Sequence, residues 1–304
     1  MNESSNANLV RVVSNAAVDV LVRDVEETSG PAQDGWGSNV QLLDRPTEVA
    51  LGGNGAAVAY VLGKLGQRVQ LNANVGVDAW GGLVRGWLQG AGVEVVGEAA
   101  HSAVNVIALS SEGKRRSMYY TGDKVDWEAA LEGPAPGWFF AAGYGQADGD
   151  DLELLVDVFA VARRRGSRVC FDPSPWFWGR AEKSLMLKAW SQVDCLVGTE
   201  EELGAWAPAA GPEDLARSLL DLGPEIAVVK RGAEGAVCAG RDVRPLALPT
   251  EPVESANTVG AGDTFNGRLL FGLATDEILE DAVHGALRLA TQVVRRGRGV
   301  LGAF

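Results

Sequence analysis

Residues 257–265 read Asn-Thr-Val-Gly-Ala-Gly-Asp-Thr-Phe. Gly260, Ala261 and Gly262 run directly into Phe265, Leu269, Leu270 and Leu273, apolar positions with helical spacing. The first turn of a helix has unpaired N–H groups and a partial positive charge, so it attracts oxyanions. Small residues let an oxyanion approach that backbone closely. Asp263 adds a carboxylate beside the place where the anion would bind. Like charges repel, so a carboxylate kept there points to a proton acceptor serving phosphoryl transfer. Taken alone, the tripeptide also fits a plain loop turn with Asp263 as a helix cap.

Outward from this stretch, short apolar runs alternate with helical patterns. Strands are predicted at Leu9–Ser14, Val69–Val75, Gly137–Ala142, Arg168–Asp172, Cys195–Val197 and Ile226–Lys230. Helices are predicted at 54–65, 79–91, 149–165, 181–192, 200–205, 212–222, 263–273 and 276–295, several followed by glycine (Gly66, Gly92, Gly166, Gly223). This alternation implies βαβ units, a mostly parallel sheet with helices on both faces, and ligands at the carboxyl ends of the strands. Two segments break it. Residues 18–50 are polar, with Gly30, Pro31, Gly35, Gly37 and Pro46, and residues 102–122 read as a hairpin turning at Glu112-Gly113. Both are read as strands of a small sheet beside the main one, a lid on a single domain spanning 1–304.

The composition is that of a globular protein: 304 residues, 46% hydrophobic and 22% charged. A formal net charge of −13 argues against binding to nucleic acid or an anionic membrane. Cys170, Cys195 and Cys238 are widely spaced without a C-x-x-C pair, which predicts buried thiols rather than disulfides or zinc ligands. The polar start Met-Asn-Glu-Ser-Ser-Asn is no signal peptide, and no run approaches the ~20 apolar residues of a membrane span, so a cytoplasmic location is expected. His101 and His284 stand alone and are not metal candidates.

Four further elements lie where phosphoryl transfer needs them. Gly52-Gly53-Asn54-Gly55 opens a helix and can turn backbone amides and the Asn54 side chain toward a polar ligand. Asp19, placed after the first strand, can accept sugar hydroxyls. Glu200-Glu201-Glu202, after the strand at Cys195–Val197, can hold hydrated Mg2+ through water or simply form an acidic first turn. Lys230-Arg231-Gly232-Ala233-Glu234-Gly235 reads as a cradle for nucleotide phosphates or as a tight β-turn.

Together these elements resemble the PfkB (ribokinase-like) family of sugar and nucleoside kinases, from about residue 10 to residue 300. Asn257–Phe265 is similar to the family's C-terminal signature Asp-Thr-x-Gly-Ala-Gly-Asp-x-Phe, and Gly52–Gly66 to its N-terminal one. Gly76-Val77-Asp78-Ala79-Trp80-Gly81, Phe171-Asp172-Pro173 and Lys230–Gly235 match further family motifs. The resemblance implies a ribokinase-like three-layer α/β/α fold with a mostly parallel central sheet and a small β-sheet lid. It implies ATP-dependent transfer of the γ-phosphate to a hydroxyl of a sugar or sugar acid. Asp263 would be the general base and the backbone of Gly260, Ala261 and Gly262 the anion hole. Asp19, Gly53 and Asn54 would contact the substrate. Lys230, Gly232, Gly235 and Thr199 would serve ATP, with the helix near Gly285–Leu289 against the purine, and Glu202 would act through Mg2+ and its waters. Family lids also pair across two-fold axes, which implies a homodimer through the lid.

The chain departs from the family pattern at three places. Ala57 stands where sugar kinases of the family carry an Asn, Thr199 replaces the Asn of Asn-x-x-Glu, and Asn257 replaces the Asp that opens the C-terminal signature. The last change removes a charge that helps organise a monovalent cation site and argues against K+ activation. A nucleoside kinase is the alternative within this chemistry, with Trp36, Met118, Tyr119 and Tyr120 available to stack a base. A sugar-binding regulator weakened in catalysis is the alternative outside it. Trp176 and Trp178 are expected in the core rather than near the substrate, and the basic run Arg295-Arg296-Gly297-Arg298 is expected to complement the last helix's dipole, with a phosphate role as the lesser alternative.

Overall fold

The computed structural model describes residues 7–25, 42–110, 114–143, 147–253 and 257–304. Its first strands are β1 (Leu9–Val13), β2 (Ala17–Val22), β3 (Glu48–Gly52), β4 (Arg68–Asn72), β5 (Val93–Val96), β6 (Ala103–Leu109) and β7 (Arg115–Tyr120). These are followed by β8 (Trp138–Ala142), β9 (Arg168–Asp172), β10 (Cys195–Thr199), β11 (Ile226–Lys230), β12 (Ala236–Gly240) and β13 (Val243–Leu248). The helices are α1 (Asn54–Lys64), α2 (Ala79–Gln89), α3 (Gly149–Arg164), α4 (Lys183–Trp190), α5 (Glu200–Gly204), α6 (Pro212–Leu220), α7 (Ala261–Ala274) and α8 (Leu279–Arg296).

Nine strands form one sheet in the order β13-β12-β11-β10-β9-β8-β1-β4-β5. Pairing is parallel from β11 through to β5 and antiparallel only at β12 and β13. Alternate residues of each strand enter different cores. Trp138, Phe140 and Ala142 of β8 pack with α1, α7 and α8, while Phe139 and Ala141 pack with α3, α4 and α6. On the second side Phe159 meets the edges of Phe139 and Phe171, with ring centroids 6.4 and 5.2 Å apart. This is the expected α/β/α fold with its mostly parallel central sheet.

The helix-ending glycines Gly66, Gly92, Gly166 and Gly223 have φ of 87°, 74°, 90° and 135°. The strand predicted to reach Val75 ends at Asn72, and the last helix begins at Leu279 rather than residue 276. Strands β5, β12 and β13 carry little sequence signal. Every residue of β12 is buried, so it shows no polar alternation, and β13 is an edge strand interrupted by Pro245. The three cysteines are buried and free, as expected. Among the described residues no helix is long and apolar enough to cross a membrane.

The segments that broke the alternation supply a second, four-stranded sheet in the order β3-β2-β6-β7. Strands β6 and β7 pair antiparallel as the hairpin reading required. Its predicted turn at Glu112-Gly113, and Gly30, Pro31, Gly35, Trp36 and Gly37, lie outside the described residues. Asp19 follows β1 and sits within β2 of this small sheet, because the chain re-enters strand geometry at Ala17.

Asp78 ties this small sheet to the main body. Its Oδ1 accepts from the Gly81 N–H at 2.8 Å, capping α2, and from the Ser102 hydroxyl at 2.7 Å. Its Oδ2 accepts the Ser102 N–H at 2.9 Å, just before β6. Burial works against the charge, but these bonds outweigh it and hold the carboxyl at about 2. Because the pKa is depressed on folding, this stabilisation is present at neutral pH and disappears as pH falls through the folded value. Asp78→Ala removes a cap and two further hydrogen bonds, so urea unfolding at pH 7 is expected to show a loss of about 2–3 kcal/mol. The wild-type advantage should shrink steadily below pH 4, and an equal loss at pH 7 and pH 2 would contradict this reading.

Candidate active site

Helix α7 starts abruptly, and one glycine makes that start possible. Its N-cap Gly260 is left-handed at φ 79°, and a Cβ there would lie 2.7 Å from the Val300 backbone nitrogen. Ala261 gives its N–H to the Thr258 carbonyl at 3.2 Å. The N–H groups of Gly260 and Gly262 carry no such bond among the described residues and are the donors left at this helix end.

Asp263 stands in the same first turn, mostly buried. Its Oδ1 accepts from Asn54 Nδ2 at 2.7 Å, across 209 residues of sequence. Burial raises its pKa to about 7, with Asp172 and Asp19 adding to the rise and Lys230 and the Asn54 bond opposing it. Asn54 in turn is fixed at the start of α1. Its N–H donates to Asn15 Oδ1 at 3.0 Å, and Asn15 Nδ2 donates to the Tyr119 hydroxyl of β7 at 2.7 Å. A single polar chain therefore joins the small sheet, the β1–β2 turn and the α7 carboxylate.

Behind Asp263 lies a buried charged network. Lys230, at the end of β11, donates to Asp172 Oδ2 at 2.9 Å and to Asn266 Oδ1 at 3.2 Å. Asn266 donates to the same Asp172 oxygen at 2.6 Å from one turn further along α7. Burial opposes the lysine's charge, but Asp172 and Glu202 outweigh it and hold its pKa above the ordinary value. Thr199 and Glu202 form a reciprocal capping box at α5, the Thr199 N–H reaching Glu202 Oε2 at 2.8 Å and the Glu202 N–H reaching the Thr199 hydroxyl at 3.1 Å. Burial and the nearby Asp172 carboxylate raise the pKa of Glu202.

Two cavities bear on this centre, one through Lys230 and Gly262 and the other through Asp19, whose charge adds to the rise at Asp263. One, of about 270 Å3, is lined by Lys230, Gly232, Gly235, Gly262, Leu287 and Thr291 among others and is largely apolar at its α8 wall. That wall takes Leu287 from the predicted 285–289 stretch and continues with Ala290, Thr291 and Val294, whereas Gly285 faces the Arg268 guanidinium. The other, of about 390 Å3, is bordered by Asp19 and the small sheet on one side and by residues 296–301 on the other. Asp19 accepts from Asn105 Nδ2 at 3.1 Å, and burial pushes its pKa up to about 6 against the opposing effects of Asn105 and Arg115.

The family model of the pfkB family carbohydrate kinases matches residues 14–301. The chain belongs to this family. It is 27% identical over 279 residues to "Probable fructokinase-4" of Arabidopsis thaliana, covering 83% of each chain. It is 24% identical over 289 residues to "5-dehydro-2-deoxygluconokinase" of Shouchella clausii, covering 85% of this chain and 86% of that one. The aminoimidazole riboside kinase of Salmonella enterica, solved with aminoimidazole riboside and an ATP analog, superposes with a TM-score of 0.74 at 21% identity, covering 97% and 96% of the two chains. The protein is accordingly a kinase with the ribokinase fold.

For this pfkB-family kinase the structure brings together Asp263, Gly260, Gly262, Asn54, Lys230 and Glu202, and places Gly232 and Gly235 on the neighbouring cavity wall. Gly53 precedes α1 with φ 83°, against the Asn15 backbone. Thr199 is a capping residue whose side chain is engaged within α5. Trp178 is not in the core. It is 56% exposed and meets the edge of Trp206 at 5.2 Å, while Trp176 stacks on Arg180. Sequence reasoning missed Asn266, Asn15 and Asn105, and it read Tyr119 as a stacking ring where the structure uses its hydroxyl to accept from Asn15. Asn266 alone had a signal, since it lies three residues after Asp263 on the same helix face.

Removing the lysine leaves a buried carboxylate without its cation. Lys230→Met should therefore cost about 3–5 kcal/mol in denaturant unfolding, and the double variant Lys230→Met/Asp172→Asn should recover most of that loss. Equal stabilities for the two variants would show that the pair is not energetically coupled.

Proposed function

We propose that this protein is an ATP-dependent kinase that phosphorylates a hydroxyl of a sugar or sugar acid. One observation carries the reading: a carboxyl poised near neutrality, Asp263, is held at a helix start where the N–H groups of Gly260 and Gly262 carry no hydrogen bond among the described residues. The acceptor hydroxyl attacks the γ-phosphorus as Asp263 takes its proton. The bond to the β-phosphate oxygen breaks, and ADP leaves. The Gly260–Gly262 backbone serves the transferring group, and Lys230, Gly232 and Gly235 serve ATP, whose base fits the apolar α8 wall. Asp19 and Asn54 bind and orient the acceptor.

The acidic residues present suit a hydrated Mg2+ better than a directly ligated one. Both Asp172 oxygens already accept hydrogen bonds, and Glu202 keeps one oxygen outside its capping box. Among the described residues no cluster of three ligating side chains exists. Glu202 would hold the ion through water, and the ion would offset charge on the phosphates. Closure of the small sheet would exclude water from the reaction. Its exposed Val49, Met118 and Tyr120 offer a surface for a homodimer.

Asn257 occupies the place where the family pattern has a carboxylate. Its Nδ2 donates to the Gly297 carbonyl at 2.9 Å and its Oδ1 accepts the Val259 N–H at 3.1 Å. The amide itself thus bridges two loops that a carboxylate and a cation together would bridge. Replacing K+ by a bulky organic cation is expected to leave turnover unchanged, and strong K+ activation would refute that assignment.

Asp263→Asn is expected to lower kcat by about a hundred- to ten-thousandfold. Its folded pKa is raised, so ionisation of Asp263 costs stability above about pH 7, and the variant should melt no lower than wild type at pH 8. In the wild type, kcat/KM should rise with unit slope up to about pH 7 and then level off. Turnover by Asp263→Asn at the wild-type rate would rule Asp263 out as the base. If the wild type releases no ADP with any sugar, sugar acid or nucleoside, the regulator reading is favoured instead.

A further inference from the structure

The run Arg295-Arg296-Gly297-Arg298 has no part in the chemistry above, yet the fold carries three of its four residues to the wall of the second cavity. Helix α8 stops at Gly297, left-handed at φ 66°, and the chain turns back so that Val300 packs beneath Gly260. This turn puts Arg296 and Arg298 on the wall of the 390 Å3 cavity, which Asp19 and Arg23 of the small sheet also line. Arg23 Nε donates to Glu48 at 2.9 Å and Arg296 Nη1 to the Gly302 carbonyl at 3.0 Å, so both retain further donors. Arg298 has no hydrogen bond or ion pair among the described residues.

The charge is out of keeping with the rest of the chain. The protein has 27 basic and 40 acidic side chains, whereas this cavity wall carries three guanidiniums against the carboxylates of Asp19 and Glu48. One of the two carboxylates is already paired with Arg23. Arg298 is exposed on the wall of a cavity that opens to solvent, and an unpaired cation there favours anions. A planar fork of donors suits a carboxylate or phosphate in particular. ATP's phosphates are already provided for in the other cavity, where Lys230, Gly232 and Gly262 stand. The anion is therefore part of the acceptor.

We propose that the acceptor carries an anionic group, carboxylate or phosphate, remote from the hydroxyl that is phosphorylated, and that Arg298, with Arg23 and Arg296, binds it. This rests on the kinase reading above and narrows its substrate class from sugars in general to acidic ones. Asp19 then faces the acceptor's hydroxyls. Leu21 and Ile107, which pack together with Val259, face its carbon chain.

The test is a paired acceptor panel, read by ADP release and by thermal shift. D-gluconate and 2-dehydro-3-deoxy-D-gluconate form the carboxylate arm, and D-fructose 1-phosphate and D-fructose 6-phosphate the phosphate arm. D-glucose, D-fructose and D-ribose form the neutral arm. One anionic arm is expected to give the highest kcat/KM, which identifies the group. Arg298→Ala should lower the ratio of anionic to neutral kcat/KM by about tenfold or more, chiefly through KM, and Arg298→Lys should restore part of it. Preference for neutral acceptors in the wild type would overturn the inference while leaving the kinase reading intact. An equal loss on both arms in Arg298→Ala would also overturn it. If no acceptor releases ADP, the kinase reading fails, and thermal shift decides the subsite. Stabilisation by an anionic acceptor that Arg298→Ala abolishes supports it, and no stabilisation by either anionic arm refutes it.

Discussion

A carboxylate held in a place built to attract anions is the constraint from which the rest of this structure follows. Asp263 occupies the first turn of α7, beside N–H groups that carry no hydrogen bond among the described residues, and burial keeps its pKa at about 7. Left alone, such a group would stay protonated. The opposing influences are the Lys230 ammonium and the Asn54 bond at 2.7 Å. Each of these is fixed by its own network, Lys230 by Asp172 and Asn266, and Asn54 by Asn15 and Tyr119. The base is thus balanced between two anchors, each held by its own hydrogen-bond network.

The topology explains why the anchors converge. Parallel strands all end on the same side, so Asp172 at the end of β9, Thr199 at the end of β10 and Lys230 at the end of β11 stand in a row. Helix α7 packs against α1 behind that row, which brings the two glycine-rich helix starts together. The antiparallel β12 and β13 extend one end of the sheet, and Gly235 before them borders the apolar cavity beside α8. The small sheet enters from the opposite side, tied by Asp78 to Ser102 and by Tyr119 to Asn15. Two cavities of unlike character result, one apolar and suited to a base, the other ringed by charge.

Much of this was legible in the sequence because it is local. Strong apolar runs and glycine stops place most strands and helices, and the motif Gly-Ala-Gly-Asp marks a helix start whatever surrounds it. What stayed hidden depends on partners far apart in the chain. Lys230 meets Asp172 across 58 residues and Asn266 meets it across 94, and no spacing rule encodes such pairs. The buried β12 lacks alternation for the same reason that the core is dry. Thr199 and Glu202 read as ligands in the motif, yet the fold first uses them on each other as a helix cap. Arg298 read as a dipole partner because the sequence does not show that the chain reverses at Gly297.

The central claim is that Asp263 is a carboxyl poised to exchange a proton near neutrality. Carboxyl 13C NMR of the ligand-free protein across pH 3 to 9 tests it directly. A resonance titrating at about 7 and missing from the Asp263→Asn spectrum is the predicted result. If the resonance missing from that variant instead titrates in the ordinary aspartate range, near 4, the balance of burial against Lys230 and Asn54 described above is wrong.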